Sequence, residues 1–320
     1  MTKSYGHLTY DQRCQIYSLK ERGDCAAIIA RYLQVHRSTI IRELRRNQTE
    51  KGYHYQSAHI QATSRRNSSQ RKTSPITLAL VEEKIKSKWS PEQISGWLKK
   101  QKLPSVSYET IYQYIWADKK QGGDLYKNLR HRGKKYNKRS KGTSGRGCIP
   151  GRVDIKERPS IVEKKERLGD WELDTIIGAN HKGAIVSMVD RASKFTKLVK
   201  IPFKTASEVE NAIVKALGFS KESLHTLTSD NGKEFARHQN ISTILQADFY
   251  FATPYHSWER GLNEHTNGLV RQYFPKRLGF DKITDLEVKA VEEALNSRPR
   301  KILCYETPLE AFTRLSTSAK

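Results

Sequence analysis

Cysteine is scarce and scattered: Cys14, Cys25, Cys148 and Cys304 form no CxxC pair. That excludes a zinc knuckle or a disulfide framework as the organising device. No apolar run approaches the roughly 18 residues of a membrane span. The longest near the start covers residues 25–30, and the first twenty residues are polar. No secretory signal is indicated, so a cytoplasmic location without a membrane partner is expected. HExxH and GxxxxGK[ST] are both missing. Gly178 and Gly183 have the glycine spacing of the latter, but Ala184 stands where its lysine belongs. A zinc protease and a nucleotide cofactor are thereby disfavoured. Hydrophobic residues make up only 36% of the 320, which suits several small cores better than one large one.

What the chain has in excess is positive charge, and its distribution is uneven. Of a net +24, residues 1–168 carry 37 Lys+Arg against 15 Asp+Glu, while residues 169–320 carry 21 against 19. A polycationic half joined to a near-neutral half implies a polyanion-binding part and a part with another task. Nucleic acid is the favoured polyanion, because phosphates attract Lys and Arg through counterion release. A merely solvated basic surface is the plainer alternative.

The basic half contains two helical modules, over residues 1–62 and 75–125. Thr9 with Gln12 makes a capping box that opens a helix ending before Gly23. Ala26, Ile29, Ala30 and Leu33 give a second helix its apolar face, and a third covers about 37–46 with Ile40 and Leu44 inward. Short helix, tight turn and basic last helix form a helix-turn-helix pattern. Arg37, Ser38, Thr39, Arg42, Arg45 and Arg46 are its candidate DNA contacts. The pattern recurs after the apolar-free stretch 63–74: Pro75 opens a helix, Ser90 with Gln93 makes a second capping box, and Ser107 caps a last helix. There Tyr108, Tyr112 and Gln113 are the outward candidates, and a purely structural bundle is the alternative. Residues 126–167 are expected to be a basic linker, since stretch 131–146 lacks the apolar content of a core.

Residues 168–320 read as an α/β enzyme. Strands are expected over 171–177, 183–189, 195–203, 223–228 and 249–251, with helices over 205–217, 233–245 and from about 261. Three consecutive strands followed by alternation predict a mixed sheet with helices on its faces. Three acids stand out. Asp174 interrupts an apolar strand, where Asp is depleted and costly to bury unpaired. Asp230 ends a strand in an Asp-Asn-Gly turn, and Glu264 opens a helix. Taken singly, Asp230 suits a turn and Glu264 a helix N-terminus. Together, three converging carboxylates suit magnesium, which takes oxygen ligands, and two such ions serve phosphoryl transfer.

Three blocks carry a family resemblance: Gly169-Asp-Trp-Glu-Leu-Asp174-Thr-Ile-Ile-Gly178, Leu227-Thr-Ser-Asp230-Asn-Gly-Lys-Glu-Phe235, and the long run from Tyr255 through Asn263-Glu264-His265 to Phe274-Pro-Lys276. The chain resembles the DDE transposases of bacterial insertion sequences, the IS-thirty family in particular, over nearly its whole length. The resemblance implies a fold of all-α helix-turn-helix modules followed by an RNase H-like catalytic domain. It implies Asp174, Asp230 and Glu264 as catalytic and metal-holding residues, and the 33 residues between the last two agree with the family's arrangement. It also implies Mg²⁺ or Mn²⁺, two ions per site, and action on double-stranded DNA at terminal inverted repeats and a target. A homodimer or larger assembly on DNA and association with the nucleoid are further expectations. Leu173, His265 and Arg277-Leu278 depart from the family's usual residues without removing a carboxylate. Arg271, one heptad past Glu264, and Lys276 are candidate phosphate contacts. The rivals are a nuclease that hydrolyses without joining and a non-catalytic DNA-binding regulator.

Overall fold

The computed structural model describes residues 6–68, 73–130, 149–218, 223–254, 256, 259 and 261–318. The chain divides into two compact units, Met1–Ser74 and Pro75–Lys320.

In the first unit the expected helices are α1 (Tyr10–Glu21), α2 (Ala26–Tyr32) and α3 (Arg37–Asn47). The capping box forms: Gln12 N donates to Thr9 Oγ1 at 3.2 Å, and Thr9 N donates to Gln12 Oε1 at 2.9 Å. Ile16, Leu19, Ile29, Ala30 and Ile40 make the core, joined by Tyr53 and Ala58. A buried ion pair, Arg13 Nε to Glu43 Oε1 at 2.7 Å, ties α1 to α3. Two short strands, β1 (Gln48–Thr49) and β2 (Gly52–Tyr53), then lead into α4 (Tyr55–Ser68). This helix continues into the stretch read as an apolar-free linker. Its polar residues serve as caps: Arg65 donates to the Arg46 carbonyl at 2.9 Å and to the Asn47 side chain, closing the end of α3.

The second unit opens with α5 (Pro75–Lys86), α6 (Pro91–Lys100) and α7 (Tyr108–Lys120) around Val81, Ile85, Ile94, Leu98, Ile111 and Ile115. This module packs onto the enzyme half. Arg298 Nε donates to Gln93 Oε1 at 2.8 Å, Lys88 Nζ donates to the Gln272 carbonyl at 3.1 Å, and Lys301 pairs with Glu92 at 2.6 Å. The expected linker is also partly structured. Ile149 and Val162 are buried, and Phe251 N donates to the Val153 carbonyl at 2.9 Å. The short helix α8 (Ile161–Lys164) lies in this stretch. Ile149 joins the core of the enzyme half, which the charge of this stretch did not announce; residues 131–148 lie outside the described ones.

Five strands follow: β3 (Asp170–Ile177), β4 (Ala184–Asp190), β5 (Thr196–Ile201), β6 (Thr226–Ser229) and β7 (Asp248–Phe251). Their order is β5-β4-β3-β6-β7. The β5-β4-β3 part is antiparallel and β3-β6-β7 parallel, giving the mixed sheet. Helices α9 (Ala206–Leu217) and α10 (His238–Leu245) cover one face over Leu173, Val186 and Met188. On the other, α11 (Gly261–Tyr273) and α12 (Asp285–Asn296) pack on Ile176, Ile185 and Leu198. A final helix, α13 (Pro308–Ser318), ends the unit. Between α9 and α10, the expected helix over 233–245 is split into a 3₁₀ turn at Lys233–Phe235 and α10.

Gly169 joins the two kinds of pairing. Its carbonyl accepts from His225 N at 2.9 Å and Thr226 N at 3.1 Å, starting the parallel β3–β6 ladder. Its φ is +92°, and a Cβ there would lie 1.8 Å from the Ser223 carbonyl oxygen. Only glycine fits that backbone and that approach.

Candidate active site and nucleic-acid interface

Side chains alternate across a strand, so Leu173 faces α9 and α10 while Glu172 and Asp174 share the face under α11. The last β3–β6 pair is Glu172 with Thr228. Asp174 and Asp230 each lie two residues further on, Asp174 within β3 and Asp230 just past the end of β6. Asp174 is half-buried; its Oδ1 accepts from Thr175 N at 2.9 Å and its Oδ2 from Asn267 Nδ2 at 2.8 Å. Asn267 also accepts from Ser187 Oγ, and Ser187 is the cross-strand partner of Asp174. Asp230 Oδ1 caps its own turn, accepting from Gly232 N at 3.0 Å.

Glu264 is exposed in the first turn of α11, one turn before Asn267. Residues three apart on a helix share a face. Among the described residues, however, no three His, Cys, Asp or Glu side chains stand close enough to hold one metal ion. The structure puts Asp174 and Asp230 at the same register of the neighbouring β3 and β6 and links Asp174 to the helix that carries Glu264. It does not gather all three around one point.

The sequence reading missed several residues on or beside this face. Glu234 is buried, accepts from Thr175 Oγ1 at 2.9 Å and pairs with Lys204 at 2.7 Å, bracing the strand beside Asp174. Glu172 is bonded to Arg191 at 2.7 Å, and Arg191 also reaches Glu163 at 3.0 Å. Arg158 donates to Thr228 Oγ1 at 2.8 Å and pairs with Glu163. The only sequence signal for this network was charge inside an otherwise structural stretch.

The proposed DNA contacts separate into groups. Arg37, Arg42, Arg45 and Arg46 are exposed on α3, while Ser38 and Thr39 are half-buried. Arg42 lies along its own helix, donating to the Ser38 carbonyl and hydroxyl at 3.1 Å each. Tyr108, Tyr112 and Gln113 are exposed on α7, and Lys276 is exposed after α11. Arg271 is set differently: Nη2 donates to the Ile177 carbonyl at 2.6 Å, and the guanidinium lies 5.4 Å from the Phe280 ring centre. It braces the end of β3, and desolvation lowers its pKa.

A cavity of about 1,210 Å³ lies between the α5–α7 module and α11. Glu172, Glu259, Arg158, Arg191, Arg130, Arg298 and Arg300 are among its lining residues.

The helix-turn-helix domain family matches residues 4–47, and the integrase core domain family matches residues 165–257. The transposase for insertion sequence element IS4351 of Bacteroides fragilis is 46% identical over 313 residues, spanning 97% of this chain and 96% of that one. The chain belongs to the IS30 family of insertion-sequence transposases. Two other relatives extend the match. The IS1086 transposase of Cupriavidus metallidurans is 36% identical, over 98% of this transposase and 97% of its own length. Transposase InsI of IS30A from Escherichia coli is 34% identical, over 98% and 85%. The IS30-family transposase thus joins a DNA-binding helix-turn-helix to a polynucleotidyl transferase core. Among the described residues, no helix is long and apolar enough to cross a membrane.

Proposed function

We propose that this transposase cuts and joins DNA strands at the terminal inverted repeats of its own element, with Asp174, Asp230 and Glu264 as its catalytic carboxylates. The observation that carries the assignment is the common register of Asp174 and Asp230, two residues beyond the Glu172–Thr228 pair, with Asp174 bonded to Asn267 of the helix that bears Glu264.

Integrase-core transposases use divalent metal ions. The donors fit in kind: carboxylate oxygens are the ligands that Mg²⁺ and Mn²⁺ prefer. They do not yet fit in placement, since the described residues include no three-ligand group. Two bound ions would supply activation of the attacking oxygen and stabilisation of the leaving one.

The chain's own groups do the positioning. Asn267 and the Thr175 amide fix both oxygens of Asp174. Arg271 holds the β3 terminus, and Glu234 holds Thr175. The exposed arginines of α3 supply the phosphate attraction that brings the ends in, and exchange of one phosphodiester for another needs no nucleotide cofactor. An element has two ends, so a dimer or larger assembly on DNA belongs to the same reading.

The test is incubation of the purified protein with labelled element-end DNA and Mg²⁺, resolving cleaved and joined products. Both should appear. Cleavage without joining by pre-cleaved ends would assign a nuclease instead, and DNA reactions indifferent to metal removal would defeat the reading.

A further inference from the structure

The cavity between α7 and α11 contains more cationic side chains than the catalytic reading uses. Arg298 and Arg300 are 3% and 8% exposed. Arg298 has polar partners: Nε donates to Gln93 Oε1 and Nη1 to Gln272 Oε1 at 2.9 Å. Arg300 donates Nη2 to the Leu295 carbonyl at 3.0 Å. Its buried Nη1 has no hydrogen-bond partner among the described residues. Arg130 lies against α11, with Nη2 2.3 Å from where a Cβ on Gly268 would be.

The two buried guanidiniums feel like charge as well as burial. Desolvation, then the charge of Arg298, pushes Arg300 down to about 9. Desolvation pushes Arg298 down to about 10. Arg298 and Arg300 are buried while Arg130 is exposed, and like charges held away from water are costly unless an anion joins them. Arg130 lowers both Arg298 and Arg300, and Tyr273 raises both.

The same cavity has an aromatic wall. Trp116 and Tyr112 line it and remain 41% and 38% exposed. The cavity's volume of about 1,210 Å³ slightly exceeds the roughly 300–1,000 Å³ of small-ligand pockets, room for a nucleotide or a short single strand. Arginines for phosphate beside exposed rings for bases are how single strands are held.

We propose that this cavity binds an unpaired DNA segment: Arg298, Arg300 and Arg130 take a backbone phosphate, and Trp116 with Tyr112 stacks on the neighbouring base. The proposal deepens the transposase reading and rests on it for the source of the unpaired strand. Such a strand is what fraying or cleavage of an element end exposes.

The experiment uses the full-length protein and a four-nucleotide single strand of arbitrary sequence carrying 2-aminopurine, whose fluorescence falls on stacking. The wild type should quench it. Trp116→Ala, an exposed position, should abolish most of the quenching and weaken binding roughly five- to a hundredfold, as loss of a base–aromatic stack does. Arg300→Lys keeps the charge but loses the planar fork, and should weaken binding while leaving the unfolding temperature of the protein near that of the wild type. Inorganic phosphate is the second arm. If it protects against heat as well as the oligonucleotide does, and Trp116→Ala changes neither, the cavity is a free-anion site and the strand proposal is wrong. Unaltered quenching in both variants overturns it as well. Element-end duplex is the third arm: oligonucleotide quenching without any preference for element ends keeps the cavity assignment and removes the transposition context instead.

Discussion

Asn267 donates its side-chain amide to Asp174 at 2.8 Å and takes a hydrogen bond from Ser187 through its carbonyl at 2.9 Å. One side chain of α11 thereby spans a cross-strand pair of the central sheet. Asn267→Ala should release Asp174 and slow cleavage by roughly 10²-fold, the cost of a small misplacement at a reacting centre. DNA affinity and thermal stability should stay near the wild type. Asn267→Asp sets two carboxylates together and favours protonation of one, so its deficit should grow as pH falls. Equal cleavage rates in wild type and Asn267→Ala would show that the contact does not position Asp174.

Asp174→Asn, Asp230→Asn and Glu264→Gln should each abolish cleavage and joining while end binding persists, measured by gel assay and anisotropy on one DNA. Near-normal joining by any one of them removes that residue from the site. Glu172 is the next suspect for Asp174, although its bond to Arg191 already occupies it; Glu259 is the next for Glu264.

The first unit has its own core and can be tested alone. Residues 1–74 should bind element-end DNA specifically, with log affinity falling linearly in log salt by about 0.9 per phosphate neutralised. Arg42→Ala or Arg45→Ala should weaken it. Loss of a phosphate contact lowers the salt slope by about one and weakens all sequences alike, whereas loss of a guanine contact costs about 1–3 kcal/mol at one base pair. Specific end binding by residues 75–320 alone, with none by 1–74 at low salt, contradicts the assignment.

Arg191 and Glu172 are 3% and 2% exposed and bonded at 2.7 Å. Arg191→Met should destabilise the second unit by about 3–5 kcal/mol, because it strands a buried carboxylate. Denaturant unfolding of the full protein measures this. A loss below 1 kcal/mol would mean that Glu172 is rehydrated or protonated at little cost.

Lys194 is pushed down to about 8, first by desolvation and then by Lys165, against the pull of Asp190 and Glu172. Its folded pKa lies below the unfolded value of about 10.4, so between these values the unfolded chain holds more protons. Stability therefore rises with pH across that window. Lys194→Met should remove this component, and the difference in unfolding free energy between the proteins should narrow from pH 8 to 10. A constant difference rejects the shift.

The sequence showed most clearly what depends on local pattern. Thr9 with Gln12 and Ser90 with Gln93 formed their capping boxes, and the strand carrying Asp174 and the one ending just before Asp230 lay where the apolar runs indicated. Long-range partners were not legible. Nothing local says that Arg298 reaches Gln93, or that Val153 offers its carbonyl to the sheet edge at Phe251. Charge counting also misread residues 63–68 and 149–167, where polar residues cap a helix end or accompany a few buried apolar ones. Arg271 illustrates the same limit: helical spacing put it on the face of Glu264, but not against Phe280 and the Ile177 carbonyl.

Gly169 has an evolutionary corollary. Any substitution at the first two bases of a glycine codon introduces a side chain or a stop, and here a side chain meets the Ser223 carbonyl at 1.8 Å. A chromosomal copy of the element can therefore lose its fold by one nucleotide while the proposed acids Asp174, Asp230 and Glu264 survive in its reading frame. A genome survey that scores mobility by intact acidic residues will overcount the copies still able to move.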